Sequence, residues 1–135
     1  MVVDTSALLV ILMNEPEAEG FAVAIESDPV RLVSAGTLLE TGLVAEGRWG
    51  DAGGRELDLL VAKAAIDVTP VDAEQVEVAR GAFRRYGKGR HPAGLNFGDC
   101  FAYALSRVSG QPLLFKGNDF AQTDVDRVTV EQIPD

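Results

Sequence analysis

Residues 1–14, MVVDTSALLVILMN, decide the fold. A short apolar strand over 2–5 runs directly into a helix over 6–13, whose start either Asp4 or Ser6 can cap. A strand passing straight into a helix opens an alternating pattern, and it leaves Asp4 at a strand's C-terminal end. An ionised carboxylate among core-forming residues is costly to desolvate unless a cation compensates it.

Outward from this stretch the alternation continues. Pro16 fits the first turn of a helix over 17–27, which carries Ala18, Phe21, Ala22 and Ile25 at helical spacing. A turn at Asp28-Pro29 releases a strand over 30–34, and a helix follows over 36–48. WGDAGG reads as a loop, 55–65 as a helix, and IDVTPV as a strand interrupted by Pro70. Asp72 caps a helix to about Tyr86, with Val76, Ala79 and Phe83 on its inner side. Gly87 and Gly89 end it in a mobile loop. Asn96 opens the next helix, with Phe97, Phe101, Leu105 and Val108 as its core face and Gly110 as its stop. PLLFK and VTVEQI complete the series as strands. Strands alternating with helices predict an α/β domain with a mainly parallel sheet flanked by helices, which places ligands at the C-terminal strand ends.

The 135 residues, 47% hydrophobic, suit one compact domain over 1–135 that needs no disulfide. Cys100 has no partner and reads as a buried, reduced thiol, which fits a cytoplasmic protein. ALLVILM lacks a preceding basic residue and is followed by NEPEAE, so it does not read as a signal peptide. No apolar run approaches the roughly 20 residues that span a bilayer, which argues against a membrane partner.

Three more carboxylates share the position of Asp4 at the edge of apolar segments: Glu40 in LLETGLV, Asp99 in LNFGDCFAYAL, and Asp119 after PLLFK. At about 100° per residue, with Leu38 at zero, Glu40 falls near 200°, between Leu43 near 140° and Val44 near 240°. That puts it inside the apolar arc. Each acid also has a local reading: Asp4 as a cap, Asp99 as partner of Asn96 in a capping box, and Asp119 as a turn residue. Together they suggest one cluster, whose mutual repulsion requires a cation or protonation. Oxygen ligands select Mg²⁺ or Mn²⁺, and no histidine or cysteine group with zinc spacing competes. His91 is the only histidine, which makes a Ser-His-Asp triad improbable, and no Walker-type phosphate loop is present.

The net charge of -9, from 21 acids and 12 bases, is unusual for a protein that binds nucleic acid. From Val78 to Gly98, however, there is no acid, while Arg80, Arg84, Arg85, Lys88 and Arg90 are gathered there. Arg84, Arg85, Lys88 and Arg90 are candidate phosphate contacts, with Tyr86 to stack on a base. They also read as cations meeting a helix C-terminus. Lys116 is a second candidate RNA contact.

VVDTSAL, LLETGLV, LNFGDCFAYAL and LLFKGNDFAQTDV, taken in this order, resemble the PIN-domain ribonucleases, specifically the VapC toxins of toxin–antitoxin pairs. The resemblance runs from residue 2 to about 125. It implies a Mg²⁺-dependent endoribonuclease in which Asp4 and Asp99 match the principal metal ligands and Glu40 and Asp119 the other acidic site positions. Relatives often carry two consecutive acids before the Phe, and here the first is Asn118, so the fourth site position is Asp119, with Asn118 or Asp124 as a further participant beside it. Thr5 and Ser6 offer hydroxyls that hydrogen-bond the carboxylates or cap the helix. Products with a 5′-phosphate and a 3′-hydroxyl, a VapB-type antitoxin with its C-terminal segment in the groove, and a homodimer are likewise implied by the resemblance. Two other readings compete: a receiver-like phospho-aspartate domain and a non-catalytic module that keeps the PIN fold. The receiver needs paired acids after the first strand and an aspartate after a middle strand, and neither is evident.

Overall fold

The computed structural model describes residues 1–132. Its elements are β1 (Val2–Val3), α1 (Thr5–Leu12), α2 (Ala18–Ser27), β2 (Leu32–Ser34), α3 (Ala35–Trp49), α4 (Asp51–Lys63), β3 (Asp67–Thr69), α5 (Ala73–Tyr86), α6 (Phe97–Ser109) and β4 (Leu113–Leu114). The strands form one parallel sheet in the order β3-β2-β1-β4. The predicted α/β architecture is therefore the one observed.

The first strand is short because Asp4 already caps α1, and its two valines face opposite sides of the sheet. Val3 and Leu114 join one apolar cluster with Leu8, Phe21, Ile25 and Leu57, while Val2 and Leu113 join another with Tyr103, Leu105 and Phe120. Burial on both faces explains why β1 and β4 read as unbroken apolar runs. β1 and β4 lie side by side, with Val2 opposite Leu113 and Val3 opposite Leu114, and the Asp4 amide donates to the Leu114 carbonyl at 3.0 Å. The chain positions following both strands consequently share one end of the sheet. No helix among the described residues is long and apolar enough to cross a membrane.

Several local expectations are corrected. WGDAGG is not a loop: α4 starts at Asp51, and Gly53 lets it pack against the Ala45 carbonyl, where any Cβ would collide. α3 turns Thr37, Thr41 and Ala45 inward and packs Leu38 on the core, whereas Leu39 and Leu43, each 64% exposed, point outward. On α5 the buried residues are Gln75, Ala82 and Tyr86, and Val76 and Phe83 are exposed. On α6 Leu105 is buried as expected, but Phe97 is 80% exposed, Phe101 and Val108 are half-buried, and Cys100, Tyr103 and Ala104 complete the buried face. The loop after α5 is tied rather than free: Lys88 N donates to Leu95 O at 2.8 Å, and Leu95 N to Tyr86 O at 2.9 Å. VTVEQI forms no strand over 128–132; a single parallel bridge joins Arg127 to Leu113, and Ile133 lies outside the described residues. Cys100 is a buried free thiol, as expected.

Candidate functional site

Asp4 leaves β1 in an extended conformation and caps α1, accepting from Ser6 N at 3.0 Å and Ser6 Oγ at 2.7 Å. Ser6 Oγ in turn accepts from the Lys116 amide at 2.9 Å, so one hydroxyl links Asp4 to the segment after β4. The Asp4 side chain is nearly sealed from solvent, at 4% exposure. Burial, with the Glu40 charge nearby, pushes its carboxyl up to about 6 against the lowering effect of the Ser6 bonds.

Asp99 is the third residue of α6 and completes a capping box: its amide donates to Asn96 Oδ1 at 2.9 Å, and its Oδ2 accepts from Asn96 N at 3.0 Å. Burial, and then the charges of Asp4 and Asp119, push this carboxyl up to about 7. The capping reading thus holds for Asp4 and for Asp99, and the two carboxylates also feel each other's charge. Capping orients each carboxylate, and the fold then faces it with others.

Glu40 stands on α3 beside the inward threonines. Its Oε1 accepts from Thr5 Oγ1 at 2.6 Å, and Thr41 Oγ1 lies 3.0 Å from Thr5 Oγ1 and 2.9 Å from Thr37 O. On its other side the carboxylate rests on Gly98, where a Cβ would overlap it. Thr41 and Gly98 were not apparent as site residues from the sequence. The signal for Gly98 is a glycine in the first helical turn immediately before Asp99, a position where helix propensity disfavours it.

Asp119 is exposed in the turn after β4, within reach of Asp99 by charge. Asn118 is exposed beside it. Asp124 is drawn elsewhere: Tyr103 Oη donates to it at 2.5 Å, and Arg85 and Arg107 approach it at 3.7 and 3.8 Å. That engagement removes Asp124 from the acid cluster.

Among the described residues, no three His, Cys, Asp or Glu side chains converge at ligating distance. The donor chemistry nevertheless suits Mg²⁺. It consists of carboxylates alone, and two of them, Asp4 and Asp99, are raised by burial and by neighbouring acids, an excess of negative charge that a divalent cation offsets.

The basic residues divide into two groups. Arg84, Lys88 and Arg90 are exposed and form no ion pair among the described residues, whereas Arg85 pairs with Asp124. Lys116 bonds Glu15 at 2.7 Å and approaches Glu17 at 3.0 Å. Tyr86 is buried, edge-on to His91 with ring centroids 5.2 Å apart, so it is not available to stack on a base. Phe97 is an exposed aromatic and shares a groove of about 620 Å³ with Phe83, Arg80 and Arg84.

The family model described as PIN domain matches residues 1–126. Ribonuclease VapC30 of Mycobacterium tuberculosis is 57% identical over 130 residues, covering 96% of this chain and 99% of the relative. Ribonuclease VapC of Mycolicibacterium smegmatis is 59% identical over 125 residues, with 93% and 97% covered. Among solved structures, VapC20 of M. tuberculosis, described as a sarcin-ricin loop cleaving toxin, has the same fold. Its TM-score is 0.76 at 21% identity, covering 94% of this chain and 97% of that one.

Proposed function

Because the chain belongs to the PIN-domain family and, within it, to the VapC ribonucleases, we infer that it is an endoribonuclease, the toxin of a toxin–antitoxin pair, acting on RNA with Mg²⁺. The observation that carries this reading is 57% identity to a ribonuclease along nearly the whole of both chains.

Asp4 and Asp99 would hold Mg²⁺, which when bound neutralises charge developing on phosphorus and makes an attacking water more acidic. Mn²⁺ offers the same hard acid to the same oxygens. Glu40, held by Thr5, orients the water and accepts its proton as the oxygen bonds to phosphorus. The bond from phosphorus to the 3′-oxygen breaks, giving a 5′-phosphate and a 3′-hydroxyl. Asp119 adds a fourth carboxylate on the exposed side, and Ser6 fixes the orientation of Asp4.

Arg84, Lys88 and Arg90 serve the RNA backbone; Arg85 and Lys116 join them only by exchanging their carboxylate partners. Two apolar surfaces support binding to other chains: Leu39 and Leu43 in the groove between α3 and α4, and Val76, Phe83 and Phe97 in the groove between α5 and α6. A VapB-type antitoxin and a second copy of the chain are the partners proposed, in the cytoplasm. The family match displaces the receiver-like reading, and retention of all four acids favours catalysis over a binding-only module.

The decisive test is cleavage of RNA by the chain freed of any antitoxin, with Mg²⁺ and then with excess chelator. Cleavage that stops with chelator and leaves 5′-phosphate ends is expected. Persistent activity in chelator, or cyclic-phosphate ends, overturns the mechanism.

A further inference from the structure

We propose that Gly98 is the positioning residue of Glu40, a seat whose missing Cβ, together with the Thr5 hydroxyl, sets where that carboxylate stands. The proposal deepens the ribonuclease reading and rests on it for its catalytic part only.

Gly98 occupies an interior position of the first turn of α6 with an ordinary backbone angle, so no left-handed conformation requires glycine there. Alanine is the better helix former at such a position. What does require glycine is space: both Glu40 oxygens and the carboxyl carbon lie where a Cβ would stand. The obstacle differs from those at Gly53 and Gly36. At Gly53 a Cβ meets the Ala45 backbone, and at Gly36 it meets the Phe101 ring, so helix packing resists. At Gly98 it meets the end of a flexible side chain. The fold therefore tolerates a methyl group, and Glu40 moves.

The opposite side of the carboxylate is held by Thr5 Oγ1 at 2.6 Å, with Thr41 Oγ1 3.0 Å behind it. Thr5 directly follows Asp4, and Gly98 directly precedes Asp99. The two contacts of Glu40 are thus made by the chain neighbours of the two proposed metal ligands. Covalent adjacency couples the three acids in space, although they are far apart in sequence.

The test combines Gly98→Ala with substitutions at Glu40. Gly98→Ala should lower kcat on the order of a hundredfold, the scale of a 1 Å misplacement, with KM and RNA affinity in chelator changed less than about twofold. Glu40→Asp, one methylene shorter, should impair the Gly98 protein yet recover at least about tenfold in kcat when added to Gly98→Ala. A melting cycle without metal gives a readout independent of catalysis. Gly98→Ala should lower Tm when Glu40 is present, and leave it unchanged or raise it when residue 40 is alanine. Wild-type kcat in Gly98→Ala, no recovery by the shorter acid, or equal Tm shifts in both backgrounds overturns the seat. If the wild-type chain fails to cleave RNA, the ribonuclease reading falls, and the melting cycle still decides the seat.

Discussion

Asp99 accepts a hydrogen bond from the backbone that opens its own helix, and it also faces the charges of Asp4 and Asp119. The first favours the ionised form and the second opposes it. Asp99→Asn keeps an acceptor for the Asn96 amide while removing the charge. We expect cleavage to fall below detection with cooperative melting intact, as measured by RNA cleavage beside circular dichroism. The pH dependence has a definite sign. Asp4 and Asp99 are raised from 3.8 to about 6 and about 7, so between those values the folded chain binds more protons than the unfolded one. Without metal, the contribution of these two groups to stability is fully present below about 3.8 and is lost as pH rises through about 7, so it is larger near pH 5 than near pH 8. Melting in chelator near pH 5 and near pH 8 checks this, and Asp4→Asn should flatten the difference. The four acids stood out as candidates because each lies within or just after an apolar run. The grounds for Glu40 were not. The helical wheel put it among inward leucines, whereas Leu39 and Leu43 face solvent and Glu40 sits beside Thr37 and Thr41.

At the level of elements, the same misreading recurs on α3, α5 and α6, and it has one physical cause. In each helix some of the largest apolar residues, Leu39, Leu43, Val76, Phe83 and Phe97, are exposed, while threonine, glutamine, alanine and glycine face inward. Close helix packing favours small inner residues, and apolar character alone does not separate a core face from a surface that meets another molecule. Leu39→Gln and Leu43→Gln are accordingly expected to change stability by less than about 0.5 kcal/mol in urea melts of the monomer. A loss of about 2 kcal/mol or more would return the leucines to the core. Caps were better read. Asp72 accepts from Gln75 N at 2.9 Å, and Asp72→Ala should cost about 1 kcal/mol in the same melts. The alternation of strands and helices was legible because it rests on contiguous apolar runs. The missed start of α4 depended on Gly53 approaching Ala45, a contact between segments that local pattern does not encode.

For the molecule as a whole, charge is the organising quantity. A chain of net charge -9 repels RNA at long range, so the acid-free span from Val78 to Gly98 gains weight as the place where phosphates are received. Replacing Arg84, Lys88 and Arg90 with Gln should reduce the slope of log affinity against log salt by about 2, given roughly 0.7 per phosphate contact on a single strand. An unchanged slope would assign these cations to the helix end alone. The pairing of β1 with β4 has a further consequence, which concerns synthesis. β1 meets β2 early, at Leu32, but its other neighbours, Leu113 and Leu114, come late in the chain, and Asp119 follows still later. At ordinary elongation rates, on the order of ten seconds separate the first acid from the last. During that interval a nascent chain carries Asp4 and Glu40 without the strand that closes their side of the sheet. RNA within reach of the nascent chain meets an incomplete set of acids until β4 and Asp119 have been made.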